Sequence, residues 1–419
     1  MKILVIGSGL LGVCTAYFLQ RRGHEVSVVD RSTGPGNETS FANGSLLTPS
    51  MSNPWNSPGC WRVLLSSLVR SDSPMQLRLA ALPSLAGWGL RFLANSNAKK
   101  YRQSTLINLR LAEYSLKVME ELRGEAPFDY HRSARGTLRI FRTRAALEHA
   151  LKEADALAQE GLPYKAVSSR DIPALEPALQ PVCDQLVGGI LYEADESGDA
   201  HLFCIGVKAA AEKAGVQFYF DTDVQLVANG PVSIAEVAAS GRRFVADRYI
   251  LCAGSYSPRI ASVLGFDLPV RPVKGYSLTI RQPLAQQPLQ VPLVDDEMHA
   301  VVTPLGDSIR VAGTAEFAGY DLQLRPERVQ NLVNVVRAVL PQAVFESTQI
   351  QPWCGLRPMC VDGVPIVSAT PCPQLFVNTG HGHLGWTMAA GSAKLLSDLV
   401  DSATPSLDPA PFALTRFGV

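Results

Sequence analysis

The chain opens with Lys2-Ile3-Leu4-Val5-Ile6, then Gly7-Ser8-Gly9-Leu10-Leu11-Gly12, a helix-like run to Gln20, and Glu25-Val26-Ser27-Val28-Val29-Asp30. Residues of these types at this spacing bind a pyrophosphate. Gly7 allows a tight turn, Gly9 lets the phosphate approach the backbone, and Gly12 lets the helix pack closely on the strand. The N–H groups that open a helix, here around Leu10 and Leu11, have no partner and favour negative charge. Asp30, followed by Arg31, closes the second strand, where a carboxylate accepts hydrogen bonds from a ribose diol. The chemistry implied is that of an adenine dinucleotide. A secretory signal also begins with a basic residue and an apolar stretch, but here glycines at fingerprint spacing interrupt the run and no cleavage motif follows.

Four further segments offer close backbone approach. Glu38 to Gly44 supplies Ser40, Ala42, Asn43 and Gly44 in a polar loop that suits an isoalloxazine ring. Thr222-Asp223-Val224 follows a strand and places Val224 to contact adenine through its backbone. Asp247 to Gly254 ends a strand on Gly254. Gly380-His381-Gly382-His383-Leu384-Gly385-Trp386-Thr387 places glycines and N–H groups before a final helix. A helix N-terminus directed at a flavin pyrimidine stabilises the anionic reduced ring. These dispersed segments and the C-terminal glycine turn fit FAD better than a nicotinamide dinucleotide. His381 and His383 have no nearby Cys or third His, which argues against a metal.

The elements that must position these residues are legible in outline. The pattern predicts helices over 106–123, 145–159, 203–215, 327–339 and 386–401, and a short one over 169–175. Strands are predicted over 136–141, 216–220, 242–246, 249–252, 273–281, 300–303, 308–312 and 374–378, with a loop over 34–45. Helix–strand alternation at both ends with strands between them implies an α/β chain. Its Rossmann-like cofactor domain is assembled from residues 1–50, 165–265 and 350–419, and a substrate domain with an antiparallel sheet from 51–164 and 266–349.

At 419 residues, 47% hydrophobic and 18% charged, the chain can bury a large core. Its 38 basic and 38 acidic residues balance, so nothing favours nucleic acid. The eight scattered cysteines form no C-x-x-C pair and read as reduced thiols in a cytoplasmic setting. No apolar span is long enough to cross a bilayer. Residues 55–93 are unusual, because Trp and Leu are interleaved there with Arg62, Arg70, Arg78 and Arg91, and Asp72 is the only acid. This composition suits either a helix on an anionic membrane surface or helices covering the substrate domain.

The chain resembles the FAD-dependent oxidoreductases of the D-amino-acid oxidase superfamily, and within them the bacterial D-amino-acid dehydrogenase (small subunit) family. The matching segments are the Gly7 fingerprint, Glu38 to Gly44, Leu111-Ala112-Glu113-Tyr114-Ser115, Gly136-Thr137-Leu138 and Lys274-Gly275-Tyr276-Ser277-Leu278. Two more are the distinctive Gly355-Leu356-Arg357-Pro358-Met359 with Asp362-Gly363, and Gly380 to Thr387. His383 departs from the pattern, standing where a small residue is expected, and His201 is also unfamiliar.

The resemblance implies oxidation of a D-amino acid to an imino acid, hydrolysed to a 2-oxo acid and ammonia. A hydride passes from the substrate Cα to flavin N5, and electrons pass on to a quinone or another respiratory acceptor at the inner face of the cytoplasmic membrane. Arg357 is the candidate carboxylate clamp, since its planar fork matches a carboxylate; an ion pair to a buried Asp is the bland alternative. Tyr276 either closes the pocket and donates to the same carboxylate or is an ordinary core tyrosine. His381 is expected to orient the flavin or backbone rather than abstract a proton. Competing functions are an oxygen-using oxidase of glycine, sarcosine, D-proline or hydroxy-D-proline type, and a non-catalytic flavoprotein subunit.

Overall fold

The apolar runs that flank the glycine turn become neighbouring parallel strands, Lys2–Ile6 and Glu25–Val29. In the computed structural model, which describes residues 1–62, 75–229, 233–239, 241–285 and 287–418, they form the centre of a six-stranded sheet. Its order is Ile366–Ala369, Leu375–Thr379, Arg248–Leu251, Lys2–Ile6, Glu25–Val29, Gln217–Tyr219, and only the first strand runs antiparallel. Parallel strands of this kind are covered on both faces, which is why Ile3, Leu4, Val5 and Ile6 are all buried.

One face carries the helices Leu10–Arg21, Ala200–Lys213, Ala389–Val400 and Ala98–Glu125. Asp199 caps the second of these, accepting from the N–H groups of His201 and Leu202 at 2.8 and 2.9 Å. The long Ala98–Glu125 helix approaches Ala389–Val400 so closely that a Cβ on Gly391 would stand 2.8 Å from Ser115 Cα. The other face packs against a small antiparallel sheet of Val224–Ala228, Ile234–Ala239 and Arg242–Phe244.

A nine-stranded mixed sheet forms the second layer system. Along its main path the order is Ile350–Cys360, Val270–Arg281, Ser308–Phe317, Ala300–Leu305, Leu293–Asp295, Thr137–Phe141, Gly188–Tyr192, Lys165–Ser168, and Met75–Leu77 adds to Ser308–Phe317. Its first two strands pair antiparallel without interruption from Val270 opposite Cys360 to Ile280 opposite Ile350. Helix Pro326–Val339 covers one face through Leu332, Val333 and Val336.

Sheet membership departs from the expected division at three strands. Lys165–Ser168, Gly188–Tyr192 and Ile350–Cys360 all pair in the larger sheet, although residues 165–265 and 350–419 were assigned to the cofactor unit. The Ala98–Glu125 helix likewise packs on the smaller sheet's helices. The physical reason is that pairing partners lie far apart in sequence, so a strand's own apolar pattern does not reveal which sheet it joins.

Of residues 55–93, positions 63–74 lie outside the described residues. The remainder includes helix Leu82–Ala94, which turns Leu85, Trp88 and Phe92 inward onto Val273, Phe317 and Met359, with the Trp88 indole N–H donating to the Pro269 carbonyl at 3.1 Å. Leu79 and Leu90 point outward, 69% and 72% exposed.

The glycine turn sets a testable constraint. A Cβ on Gly12 would lie 1.9 Å from the Gly7 carbonyl oxygen, a contact that only backbone movement relieves. Gly12→Ala is expected to destabilise the fold by about 2 kcal/mol or more, as overpacking against backbone does, and to lower the flavin retained on purification. Denaturant titration and the visible absorbance per chain measure the two effects.

Candidate functional site

The backbone at the first turn is shaped for a phosphate. Gly7 has φ +102°, and a Cβ there would come within 2.6 Å of the Cys252 carbonyl oxygen. Gly9 is the N-cap of helix Leu10–Arg21 and brings no side chain to the cap. The Leu10 N–H donates to Ser40 Oγ at 3.2 Å, while the next N–H groups of the first turn have no intrahelical acceptor. Asp30 ties the same turn from below: its carboxylate accepts from the Ser8 N–H at 2.6 Å, the Ser8 hydroxyl at 2.7 Å and the Ser32 N–H at 2.8 Å. A carboxylate offers about four acceptor positions, so roughly one is left for a ribose hydroxyl. Arg31 donates to Glu38 and lies 3.8 Å from the Tyr256 ring centre, fixing the loop beside the turn.

A single cavity of about 1110 Å³ runs from this turn to the larger sheet. Gly7, Gly9, Leu10, Leu11, Asp30 and Arg31 line one part of it, together with Val224 and Gly254. Ser40, Ala42, Asn43 and Gly44 line the middle, and Arg357, His381, Gly382, His383 and Gly385 line the far part with Tyr276. The volume slightly exceeds that of ordinary ligand sites, ~300–1,000 Å³, as a dinucleotide plus a small substrate requires. Ser8, Gly12, Gly380, Leu384 and Thr387 support the walls from behind. Thr387 Oγ1, for example, accepts from the Thr48 N–H at 3.0 Å, and Gly380 turns at φ +84°. Ser277 Oγ and Thr303 Oγ1 donate to the carbonyls of Ala42 and Gly44 at 2.6 and 2.9 Å, so the larger sheet grips the loop between the two parts. The buried Arg310 donates to the Asn43 carbonyl at 3.1 Å and serves the same purpose.

Arg357 occupies the centre of the far wall. It stands opposite Val273, and its guanidinium lies over Gly275, where a Cβ would collide at 2.0 Å. Its Nη1 donates to the Thr314 carbonyl at 3.2 Å, and its Cζ sits 5.4 Å from the Trp55 ring centre. Among the described residues no carboxylate pairs with it. Burial lowers its pKa to about 10, so it remains a cation at neutral pH.

Tyr276 stands three positions from Arg357's partner along the same strand, which by alternation turns its side chain to the opposite face. Its hydroxyl donates to Glu316 at 2.8 Å. Glu316 is fully buried and also accepts from Arg78 at 2.6 Å, with Lys274 and Arg328 at 3.5 Å. Despite burial, these cations and hydrogen bonds hold its pKa below the usual carboxylate value.

His381 is buried, with Nε2 2.8 Å from Ser392 Oγ and with no hydrogen-bond partner for Nδ1. Burial drops its pKa to about 3. His383 places Nε2 3.0 Å from the Met51 carbonyl and stacks on Trp55 at 5.5 Å and 21°. Burial, assisted by the Arg357 charge, lowers its pKa to about 4. His201 packs on Phe41 with the rings tilted at 55° and 4.8 Å between centres, and its Nε2 lies 3.0 Å from Asn37 Oδ1.

Several residues of the far wall carry no motif. Trp55 sits in the stretch read for its surface composition, and Thr314 contributes a backbone carbonyl that any residue type could supply. Gly275 was visible as part of a motif, but its reason, room for a guanidinium, required the partner strand.

The model of the family described as FAD dependent oxidoreductase matches residues 2–399. A D-amino acid dehydrogenase of Paramagnetospirillum magneticum is 41% identical, with the alignment covering 100% of this chain and 99% of that protein. One of Granulibacter bethesdensis is 40% identical over the full length of both. Among solved structures, a glycine oxidase from Geobacillus kaustophilus superposes with a TM-score of 0.77 at 21% identity, covering 99% of each chain. An L-proline dehydrogenase from P.horikoshii gives 0.78 at 15%, covering 100% and 97%. This chain therefore belongs to the FAD-dependent oxidoreductase family and uses FAD; the glycine turn, Asp30 and the turn around His381 to Gly385 line the cavity in which it would be held.

The buried His381 sets an acid limb for stability. The unfolded chain binds a proton on this residue below pH ~6.5, whereas the folded chain stays neutral until about pH 3, so stability falls as pH falls through this window. The contribution is about 1.4 kcal/mol per pH unit. His381→Gln is expected to flatten the slope by one proton, measured by denaturant unfolding between pH 6.5 and 4.5; an unchanged slope would show that His381 is not held neutral.

Proposed function

We propose that the protein oxidises D-amino acids to imino acids, which water hydrolyses to 2-oxo acids and ammonia. A hydride leaves the substrate Cα for flavin N5, and the electrons continue to a quinone of the respiratory chain. The observation that carries the reading is Arg357, a half-buried guanidinium with no carboxylate of its own among the described residues, in the cavity that also holds the dinucleotide turn. Such a cation favours a ligand that brings a carboxylate, and its fork takes one in a bidentate grip. Bound FAD supplies the two-electron acceptor.

The chain's own contribution is position. Uninterrupted pairing of Ile350–Cys360 with Val270–Arg281 holds Arg357 rigidly, and its hydrogen bond to Thr314 fixes one edge of the fork. The opposite edge remains for substrate. Neither nearby histidine is a strong base, since burial depresses both, to about 3 and about 4. This supports a step in which the amine is already neutral when the hydride leaves. The full-length similarity to D-amino acid dehydrogenases supports the D-configuration.

A quinone acceptor implies a membrane nearby. No helix among the described residues is long and apolar enough to cross one. Attachment at the inner-membrane surface is supported by the outward Leu79, Leu90 and Trp61 with Arg62 and Arg91.

Two measurements test this reading. A panel of D- and L-amino acids under anaerobic conditions should bleach the flavin with the D-forms only, with electrons reaching a quinone analogue far faster than oxygen; stoichiometric peroxide in air would identify an oxidase instead. Arg357→Ala should keep normal flavin content while raising KM about 100-fold or more, the effect of losing a charged hydrogen-bonded pair worth ~3 kcal/mol. Normal turnover at low substrate in that variant would remove Arg357 from the clamp.

A further inference from the structure

We infer that His383 is a substrate-binding residue whose Nδ1 accepts a hydrogen bond from the α-ammonium of the amino acid that Arg357 holds by its carboxylate. The inference rests on the amino-acid reading above and deepens it. Its starting point is a histidine that lines the same cavity as Arg357 with one ring nitrogen already bonded to a backbone carbonyl.

The tautomer follows from the partner. Nε2 lies 3.0 Å from the Met51 carbonyl, which can only accept, so Nε2 carries the hydrogen. A neutral ring then presents Nδ1 as a bare lone pair. His383 is kept neutral by burial and by the charge of Arg357. His381 differs here, because its partner is a hydroxyl, which donates or accepts and leaves the tautomer open.

The ring is also held in place. Its face stacks on Trp55, and the Met51 carbonyl belongs to a fixed segment: the neighbouring Ser50 donates its N–H and hydroxyl to the buried Asp195 at 3.2 and 2.5 Å. The ring centre of Trp55 lies 5.5 Å from that of His383 and 5.4 Å from the Cζ of Arg357, so His383 and Arg357 stand no more than about 11 Å apart. Both line the same cavity. A guanidinium–carboxylate contact and an ammonium–imidazole contact of ~2.8–3.0 Å each, joined by one α-carbon, fit within that span.

Charge gives the arrangement its purpose. Arg357 attracts one end of a zwitterion and repels the other. In a site closed to water, an ammonium left without an acceptor forfeits the hydrogen bonds it had in solution. A neutral acceptor repays them without fixing the proton on the amine, as a carboxylate would.

The test uses ligands that cannot be oxidised. 2-Aminoisobutyrate has no α-hydrogen, and isobutyrate carries hydrogen in place of the amine, so neither yields an imine; each is titrated into the flavin-loaded protein and followed by the flavin absorbance shift. His383→Phe keeps a ring on Trp55 but has no acceptor, and His383→Gln retains one. The expected result is that Phe weakens 2-aminoisobutyrate about tenfold, leaves isobutyrate within twofold, and that Gln recovers part of the loss. Equal weakening of both ligands by Phe, or no weakening of either, overturns the inference. If Phe loses its flavin, Gln binding 2-aminoisobutyrate no better than isobutyrate also overturns it. Failure of the unsubstituted protein to bind any α-amino or simple carboxylate ligand would instead sink the amino-acid reading itself, a distinct outcome.

Discussion

A guanidinium drawn partly out of water without a carboxylate beside it is unfavourable, and the fold holds Arg357 in that condition at the cavity wall. The compensation available within the chain is one carbonyl, one indole face and the absence of a side chain on Gly275. Such a state persists only if its surroundings are stiff, because a flexible strand would turn the charge toward solvent. Eleven opposed residue pairs between Val270–Arg281 and Ile350–Cys360 supply the stiffness. The same strand pair carries Ser277, whose hydroxyl grips the Ala42 carbonyl, so the clamp and the cofactor loop share one rigid reference.

The two faces of that strand pair obey opposite electrostatic rules. On the side of Tyr276, Glu316 is buried among Arg78, Lys274 and Arg328, and its oxygens are taken up by hydrogen bonds and ion pairs. On the side of Arg357 a cation is left for something that arrives later. Buried charge that is satisfied within the chain fixes structure, and buried charge that is not invites a ligand. This distinction separates Tyr276 from Arg357 more sharply than their shared strand pairing unites them.

What the sequence disclosed is local. The turn from Gly7 to Gly12 is legible because each glycine answers a contact within a few residues or with the next strand end. Most helices appeared near their true positions for the same reason. The start of Ala98–Glu125 was missed because the apolar period only begins near Ile107, although Asn97, which caps the helix by accepting from the Lys100 N–H, was a usable signal. Long-range features were not legible. Nothing near Lys165 or Gly188 says which sheet those strands join, and nothing near Glu316 announces the cations gathered from residues 78, 274 and 328.

Asp30 shows how local and distant requirements merge in one side chain. Read from the sequence, it is a ribose acceptor at the end of a strand. In the fold its carboxylate first closes the glycine turn, taking the Ser8 N–H and hydroxyl and the Ser32 N–H. These bonds orient the carboxylate before any ligand arrives, so little reorganisation is left for binding. The Gly380–Gly385 turn follows the same logic at the other end of the cavity, where His381 is anchored through Ser392 and His383 through Met51. Cofactor and substrate therefore meet walls already set by backbone contacts. Selectivity then rests on the few side-chain atoms that the chain leaves without partners.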